Sequence, residues 1–319
     1  MQLGYMLLLG GVAIESVVSS ALELAKRTYS PSTATIRKDY GALTASERFS
    51  FIEAIQCVMA KPSILEDVPA STSKLFDYAA VHVNLTASIH MDGIFLSWHR
   101  HFLHIMETEL HDCGYPPSLA PCSMAPTPPS AETVTTTRTR HWTRSQAERC
   151  CHAFGPIAFS QVFKGGPPAN WTVPKPRCLT RDLNDWGVST YLSQDDIDAE
   201  LAQDNIGDFQ YYINAVGNTA GLHGGGHYSV GGIMFDFFAS PQDPAFYLHH
   251  GMLDLLWADW QAANESRRYA WNGTSSISNL NTTAAVNNST ILDFGKLANT
   301  VTVEGVADPL SGFYCYKYI

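Results

Sequence analysis

Charge is scarce in this chain: 16% of its 319 residues are Asp, Glu, Lys or Arg, with 20 basic side chains against 30 acidic ones. The basic residues are scattered rather than gathered on a stripe, which disfavours a nucleic-acid or anionic-membrane partner. Long hydrophobic runs are missing too. The stretch Met6–Ile14 is too short to span a bilayer but has the length of a signal-peptide core, and small residues follow it up to Ala21. No Lys or Arg precedes that stretch, yet residues 1–21 read as a signal peptide. Asn-x-Ser/Thr triplets at Asn84, Asn170, Asn264, Asn272, Asn281, Asn287 and Asn288 agree with a secreted glycoprotein.

No Cys-x-x-Cys pair occurs among the seven cysteines, so a zinc-finger reading is poor. Alternating runs long enough for a large sheet are also absent, and no repeat is visible beyond two groups of histidines. The helical signals are clear. Thr44-Ala45-Ser46-Glu47 has the form of a capping box, and Phe51, Ile52, Ile55, Val58 and Met59 follow at helical spacing until Lys61-Pro62 ends the run. A second helix begins near Leu96, with His99, Leu103, Met106 and Leu110 on one stripe and Arg100, Glu107 and His111 toward another face. Ser193 predicts a cap for a short helix over 196–203, and Asp243-Pro244 predicts the start of a further one. The expectation is a mainly helical single domain over 22–319 with long loops and little strand.

One stretch fits neither period. Pro116 to His152 is rich in Pro, Ser, Thr, Arg and Cys, and reads either as a surface insertion or as a mistranslated segment. Without it the cysteines are an even set: Cys57, Cys113, Cys178 and Cys315.

The histidines carry the chemistry. His223 and His227 lie four apart, which places both imidazoles on one helical face and suits two ligands to one ion. The three glycines between them are poor helix formers, but a backbone without Cβ lets another element approach closely. The zinc-protease form of this motif needs a Glu where Gly224 stands. His250 sits on the Asp243-Pro244 helix beside His249, which points about a hundred degrees away, so spacing alone leaves open which of the two faces the ion. Asp254, one turn on, is placed to accept a ring N–H or to support a neighbour. Upstream, His90 and His99 are nine residues apart, half a turn out of phase, so His90 must reach the ion from the segment before the helix, and His82 comes from further back.

His90-x4-Phe95-Leu96-x-Trp98-His99-Arg100-x2-Leu103-x3-Glu107 resembles the copper A signature of the tyrosinase, catechol oxidase and haemocyanin superfamily. Asp243-Pro244-Ala245-Phe246-Tyr247-Leu248-His249-His250-x3-Asp254 resembles its copper B signature, and that match selects His250. The resemblance covers roughly residues 30–115 and 153–319. It is similar to the short fungal secreted members, whose chains end near a Tyr-x-Tyr element, here Tyr316-Lys317-Tyr318, with no C-terminal lid domain.

The resemblance implies a four-helix bundle core holding two copper ions, with His82, His90 and His99 on copper A and His223, His227 and His250 on copper B. It implies O2 as co-substrate and a small phenolic substrate, oxidised from ortho-diphenol to ortho-quinone. Phe246 is then expected against a ligand imidazole or the substrate ring, and Gly224 and Tyr228 where family members set substrate preference. An Asn often follows the first copper B ligand in efficient monophenol hydroxylases. Gly224 takes that place here, which favours diphenol oxidation over hydroxylation. Alternatives are an ortho-aminophenol oxidase or full tyrosinase, a haemocyanin-like O2 binder, or an inactive product of a faulty gene model.

Two departures stand out. A Tyr-Trp-Asp-Trp-like element usual after the position of Cys113-Gly114-Tyr115 is replaced by the irregular stretch. Ser88 occupies the position at which some relatives form a Cys-His thioether. Disulfides are expected between Cys57 and Cys315 and between Cys113 and Cys178.

Overall fold

Thr44 starts the first helix as its sequence predicts. Its hydroxyl accepts the Glu47 amide at 3.2 Å while the Glu47 carboxylate accepts the Thr44 amide at 2.6 Å, so two otherwise unpaired donors are satisfied at the entrance of α1 (Ala45–Ala60). The helix ends at Lys61, whose extended backbone is what a residue before Pro62 adopts. Phe51, Ala54, Ile55 and Val58 are buried, whereas Ile52 and Met59 stay 42% exposed, because α1 packs on one side only and they fall at the flank of its stripe.

This computed structural model describes residues 34–122, 169–214, 220–279, 283–311 and 314–319. The expected signal peptide, residues 123–152 of the irregular stretch, Cys150, Cys151 and Asn281 lie outside the described residues. Seven further helices follow among those described: α2 (Lys74–Leu85), α3 (Phe95–Asp112), α4 (Asp185–Tyr191), α5 (Gln194–Leu201), α6 (Ile206–Asn214), α7 (Gly221–Val230) and α8 (Ala245–Ala262). Ser193 caps α5 in a box with Asp196, and the helix begins at Gln194, two residues ahead of the predicted start. Asp243 accepts the Ala245 amide at 2.8 Å, so its carboxylate supports the start of α8 just after Pro244.

The helices α2, α3, α7 and α8 surround the histidines as a four-helix core. On α3, Phe102, Leu103, Met106 and Leu110 are fully buried, each burial being worth ~1.5–3 kcal/mol before the entropy of ordering is subtracted. Trp98 stacks between Phe102 and Phe294, with centroids at 4.5 and 5.3 Å, and donates its indole N–H to Asp293 O at 2.7 Å. No helix among the described residues is long and apolar enough to cross a membrane.

Among the described residues, strand is confined to two short pairs. The first, β1 (Thr35–Arg37), runs parallel to the last, while β2 (Ile291–Leu292) and β3 (Val301–Thr302) are antiparallel. The last strand, β4 (Tyr316–Tyr318), sets Arg37 opposite Tyr318 and so joins the first and last described segments beside the core.

The disulfide expectation is overturned. Cys57 pairs with Cys113, with Cα atoms 5.8 Å apart, because α1 and α3 end side by side and Lys61 reaches Glu109 across the same junction at 2.8 Å. Cys315 is a buried thiol outside any disulfide, and Cys178 is disulfide-bonded but not to Cys113. The first part of the irregular stretch is core material. Leu119 is fully buried and donates its amide to Glu107 at 2.7 Å, and Pro121 O accepts the Tyr40 amide at 2.7 Å, so residues 116–122 seal the ends of α1 and α3 despite their aperiodic sequence.

Candidate metal centre

Six imidazoles converge from five places in the chain. His82 comes from α2, His90 from the loop before α3, and His99 from the second turn of α3; His223 and His227 come from α7 and His250 from α8. They form two triads, His82 with His90 and His99, and His223 with His227 and His250, and within each the offered nitrogens lie within 4.8 Å of one another. The triads touch: His99 and His250 stack with centroids 4.4 Å apart and planes 13° apart.

Five rings are oriented by what their Nδ1 donates to. His82 donates to Phe238 O at 2.5 Å, His90 to Thr86 O at 3.0 Å, His99 to Phe95 O at 2.8 Å, His227 to Met234 O at 2.7 Å, and His223 to Asn214 Oδ1 at 3.1 Å. A carbonyl opposite Nδ1 requires the hydrogen there, so each Nε2 carries a lone pair. The Nε2 atoms of His82 and His99 are buried without a partner, and His227 Nε2 faces the Nε2 of His223 at 3.1 Å and that of His250 at 3.3 Å.

Lone pairs facing one another repel unless a proton or a metal ion sits between them. Burial opposes the proton: desolvation, reinforced by neighbouring rings, holds His82, His99, His223 and His250 well below the ordinary histidine value, and holds His90 at about 3 and His227 at about 4. Two imidazoles sharing one ion adopt the observed spacing, since bonds of ~2.0 Å at a tetrahedral angle set the nitrogens roughly 3.3 Å apart. The residues therefore fit two metal ions in neutral nitrogen surroundings.

The glycines of the His223–His227 turn have separate uses. A Cβ at Gly226 would lie 2.1 Å from the His249 ring, and one at Gly225 would lie 2.4 Å from Tyr191 Cβ. Gly226 lets His249 donate to His223 O at 2.9 Å, so His249 braces the backbone while His250 joins the triad, as the copper B match selects. Gly225 lets α4 lie against α7. Gly224 instead faces a cavity of about 430 Å³ lined by His90, His223, His227, Tyr228 and Phe237, among others.

Phe246 lies against His250 at 4.1 Å between centroids and is fully buried, so it supports the imidazole and does not line the cavity. Of its two expected roles, Asp254 takes the support of a neighbour, Arg100 beside His99. It accepts from no histidine; Arg100 Nε reaches it at 2.5 Å, Arg37 Nη1 at 3.3 Å, and the hydroxyls of Tyr316 and Tyr318 both donate to it. Burial pushes its carboxyl up, but Arg100 and Arg37 more than offset that and hold it below its ordinary range. Two arginines outcompete a neutral ring for a buried carboxylate. Sequence spacing missed Asn214, which ends α6 nine residues before His223, and Phe237, whose ring lies 4.7 Å from that of His90. Neither has a local signal.

Residues 72–263 match the family described as the common central domain of tyrosinase. The chain belongs to the tyrosinase family. Tyrosinase P of Aspergillus terreus is 35% identical to this tyrosinase-family chain over 89% of it and 91% of that protein. An N-acetyl-6-hydroxytryptophan oxidase of Emericella nidulans is 31% identical over 89% and 92%. The fold is shared with a mutant polyphenol oxidase from Thermothelomyces thermophila at a TM-score of 0.75 and 24% identity, covering 96% of this chain and 94% of that one. A functional unit of octopus hemocyanin aligns at a TM-score of 0.52 and 20% identity, covering 89% of this chain and 68% of that one. Membership makes this tyrosinase-family protein a copper oxidoreductase.

Proposed function

We propose that the chain oxidises ortho-diphenols to ortho-quinones with O2 as co-substrate, with His82, His90 and His99 holding one copper ion and His223, His227 and His250 the other. The observation that carries this is the set of facing Nε2 lone pairs, buried, stacked across the two triads and opening onto an aromatic cavity. Bound copper would supply the two-electron redox chemistry that couples diphenol oxidation to reduction of O2. The protein supplies the rest. Carbonyls of Thr86, Phe95, Met234 and Phe238 hold the Nδ1 hydrogens and fix the rings, and no charged side chain is among the described residues that line the adjoining cavity.

Gly224 offers no side chain to orient a proton-accepting water beside His223, which supports oxidation of phenols that already bear two hydroxyls. Metal analysis should find two copper ions per chain, and catechol in air should give quinone absorbance. Fewer than two ions, or no quinone from the fully loaded protein, would remove the proposal.

A hydroxylated indole or an ortho-aminophenol is the second reading, supported by the relative named as an N-acetyl-6-hydroxytryptophan oxidase. Initial rates with catechol, 2-aminophenol and a hydroxyindole rank the three. Secretion is supported by exposed asparagines in six of the triplets, Asn84, Asn170, Asn264, Asn272, Asn287 and Asn288, and a glycosidase-sensitive mobility of protein recovered from the medium tests it.

A further inference from the structure

The mouth of the cavity carries a connected row of aromatic rings. Phe235 and Tyr228 lie 5.6 Å apart between centroids, Tyr228 and Tyr191 6.2 Å, Tyr228 and Trp186 6.0 Å, and Tyr191 and Trp186 5.7 Å, with interplanar angles from 68° to 83°. Tyr191, Tyr228 and Phe235 line the cavity that contains His223 and His227, whereas Trp186 stands just beyond its lining on α4. Trp186 is 58% exposed and Phe235 53%. Single exposed aromatics are ordinary on a protein surface. A connected group that reaches solvent and lines the same cavity as a buried histidine triad is not.

Size and charge narrow what such a row can receive. The cavity of about 430 Å³ lies in the range of roughly 300–1,000 Å³ that houses drug-sized ligands, well beyond one dihydroxybenzene ring. No Asp, Glu, Lys or Arg is among the described residues that line it, so a carboxylate or ammonium on the substrate would lose its hydration with no partner. Edge-to-face geometry leaves ring faces and edges to meet another π-system.

We infer that this row is a second subsite, which takes a neutral aryl or fused-ring substituent of the phenol while its dihydroxy ring occupies the space against His223 and His227. The assignment rests on the oxidase reading of the triads and adds the substrate class: diphenols extended by an uncharged aromatic group. Its position follows from the close contact of α4 with α7 at Gly225, which brings Trp186 and Tyr191 to the mouth.

The test uses the copper-loaded full chain and two probes whose methylated oxygens resist oxidation, 1,2-dimethoxybenzene and 3,4-dimethoxybiphenyl, with dissociation constants read by ligand-observed NMR. The biphenyl probe should bind about tenfold tighter or better, the worth of an added aromatic contact. Trp186→Ala should reduce that ratio about three- to tenfold, and Trp186→Phe should restore most of it. Equal affinity for the two probes, or a ratio unmoved in Trp186→Ala, overturns the subsite. Binding is measured without turnover, so the two readings fail separately: probe discrimination without catechol oxidation sinks the oxidase and keeps the subsite, and catechol oxidation without discrimination does the reverse.

Discussion

His99 and His250 stack face to face across the boundary between the two triads, 4.4 Å apart and 13° from parallel. Each ring is thus a wall for the other, and α3 and α8 are held together through them. Removing copper with a chelator should expose the facing lone pairs to mutual repulsion and lower the melting temperature, with recovery on adding copper. His250→Ala should cut bound metal from two ions per chain to one or fewer, as read by elemental analysis. Two full equivalents in that variant would contradict the ligand assignment.

Asn214 is the one side chain among the acceptors of the five oriented rings. Its Oδ1 holds the His223 Nδ1–H at 3.1 Å, and its own amide is tied to Gln210 O at 3.0 Å, so its orientation is set. Asn214→Leu should weaken metal binding at the second triad by about 10- to 100-fold in competition with a chromophoric chelator, with Asn214→Asp close to the parent. Unchanged affinity in the Leu variant would show that the ring needs no acceptor.

Neighbouring glycines on α7 should respond in opposite ways. Gly226→Ala drives a methyl into the His249 ring and should destabilise the fold by about 1–3 kcal/mol or more. Gly224→Ala meets only the Ala220 methyl at 3.1 Å and faces the cavity, so a shift under about 1 kcal/mol is expected. Chemical denaturation of the two variants side by side decides this, and equal losses would refute it.

Glu200 is buried on α5 with neither carboxyl oxygen hydrogen-bonded, and desolvation raises its pKa from 4.5 to about 9. Below pH ~4.5 both folded and unfolded chains keep the proton and nothing is lost. As pH rises from there toward about 9, the unfolded chain ionises first and gains, so this group drains stability across that window. At pH 7.5 the loss is a few kcal/mol, at ~1.4 kcal/mol per pH unit. Glu200→Gln should flatten the fall in stability between about pH 5 and 8.5, measured by urea unfolding. A slope identical to the parent would mean that the carboxyl finds a donor.

Short-range features were legible in the chain. The Thr44 to Glu47 box, the Ser193 cap and the pairing of His223 with His227 depend on residues within one or two helical turns, and each stands where spacing puts it. The partners of Asp254 were not legible, for the opposite reason. Its partners Arg37, Arg100, Tyr316 and Tyr318 lie between 62 and 217 residues away, and no local pattern announces them.

By itself the amino-acid sequence determined which side chains can bind metal, the helices that carry most of them and the family to which they belong, because ligand identity and helical period are written in local spacing. Only the tertiary structure decided that Cys57 meets Cys113, that His249 braces the His223 carbonyl, and which glycine faces a neighbouring helix and which the cavity. Those outcomes depend on how segments far apart in the chain are packed in three dimensions, where a difference of an ångström separates a hydrogen bond from a collision.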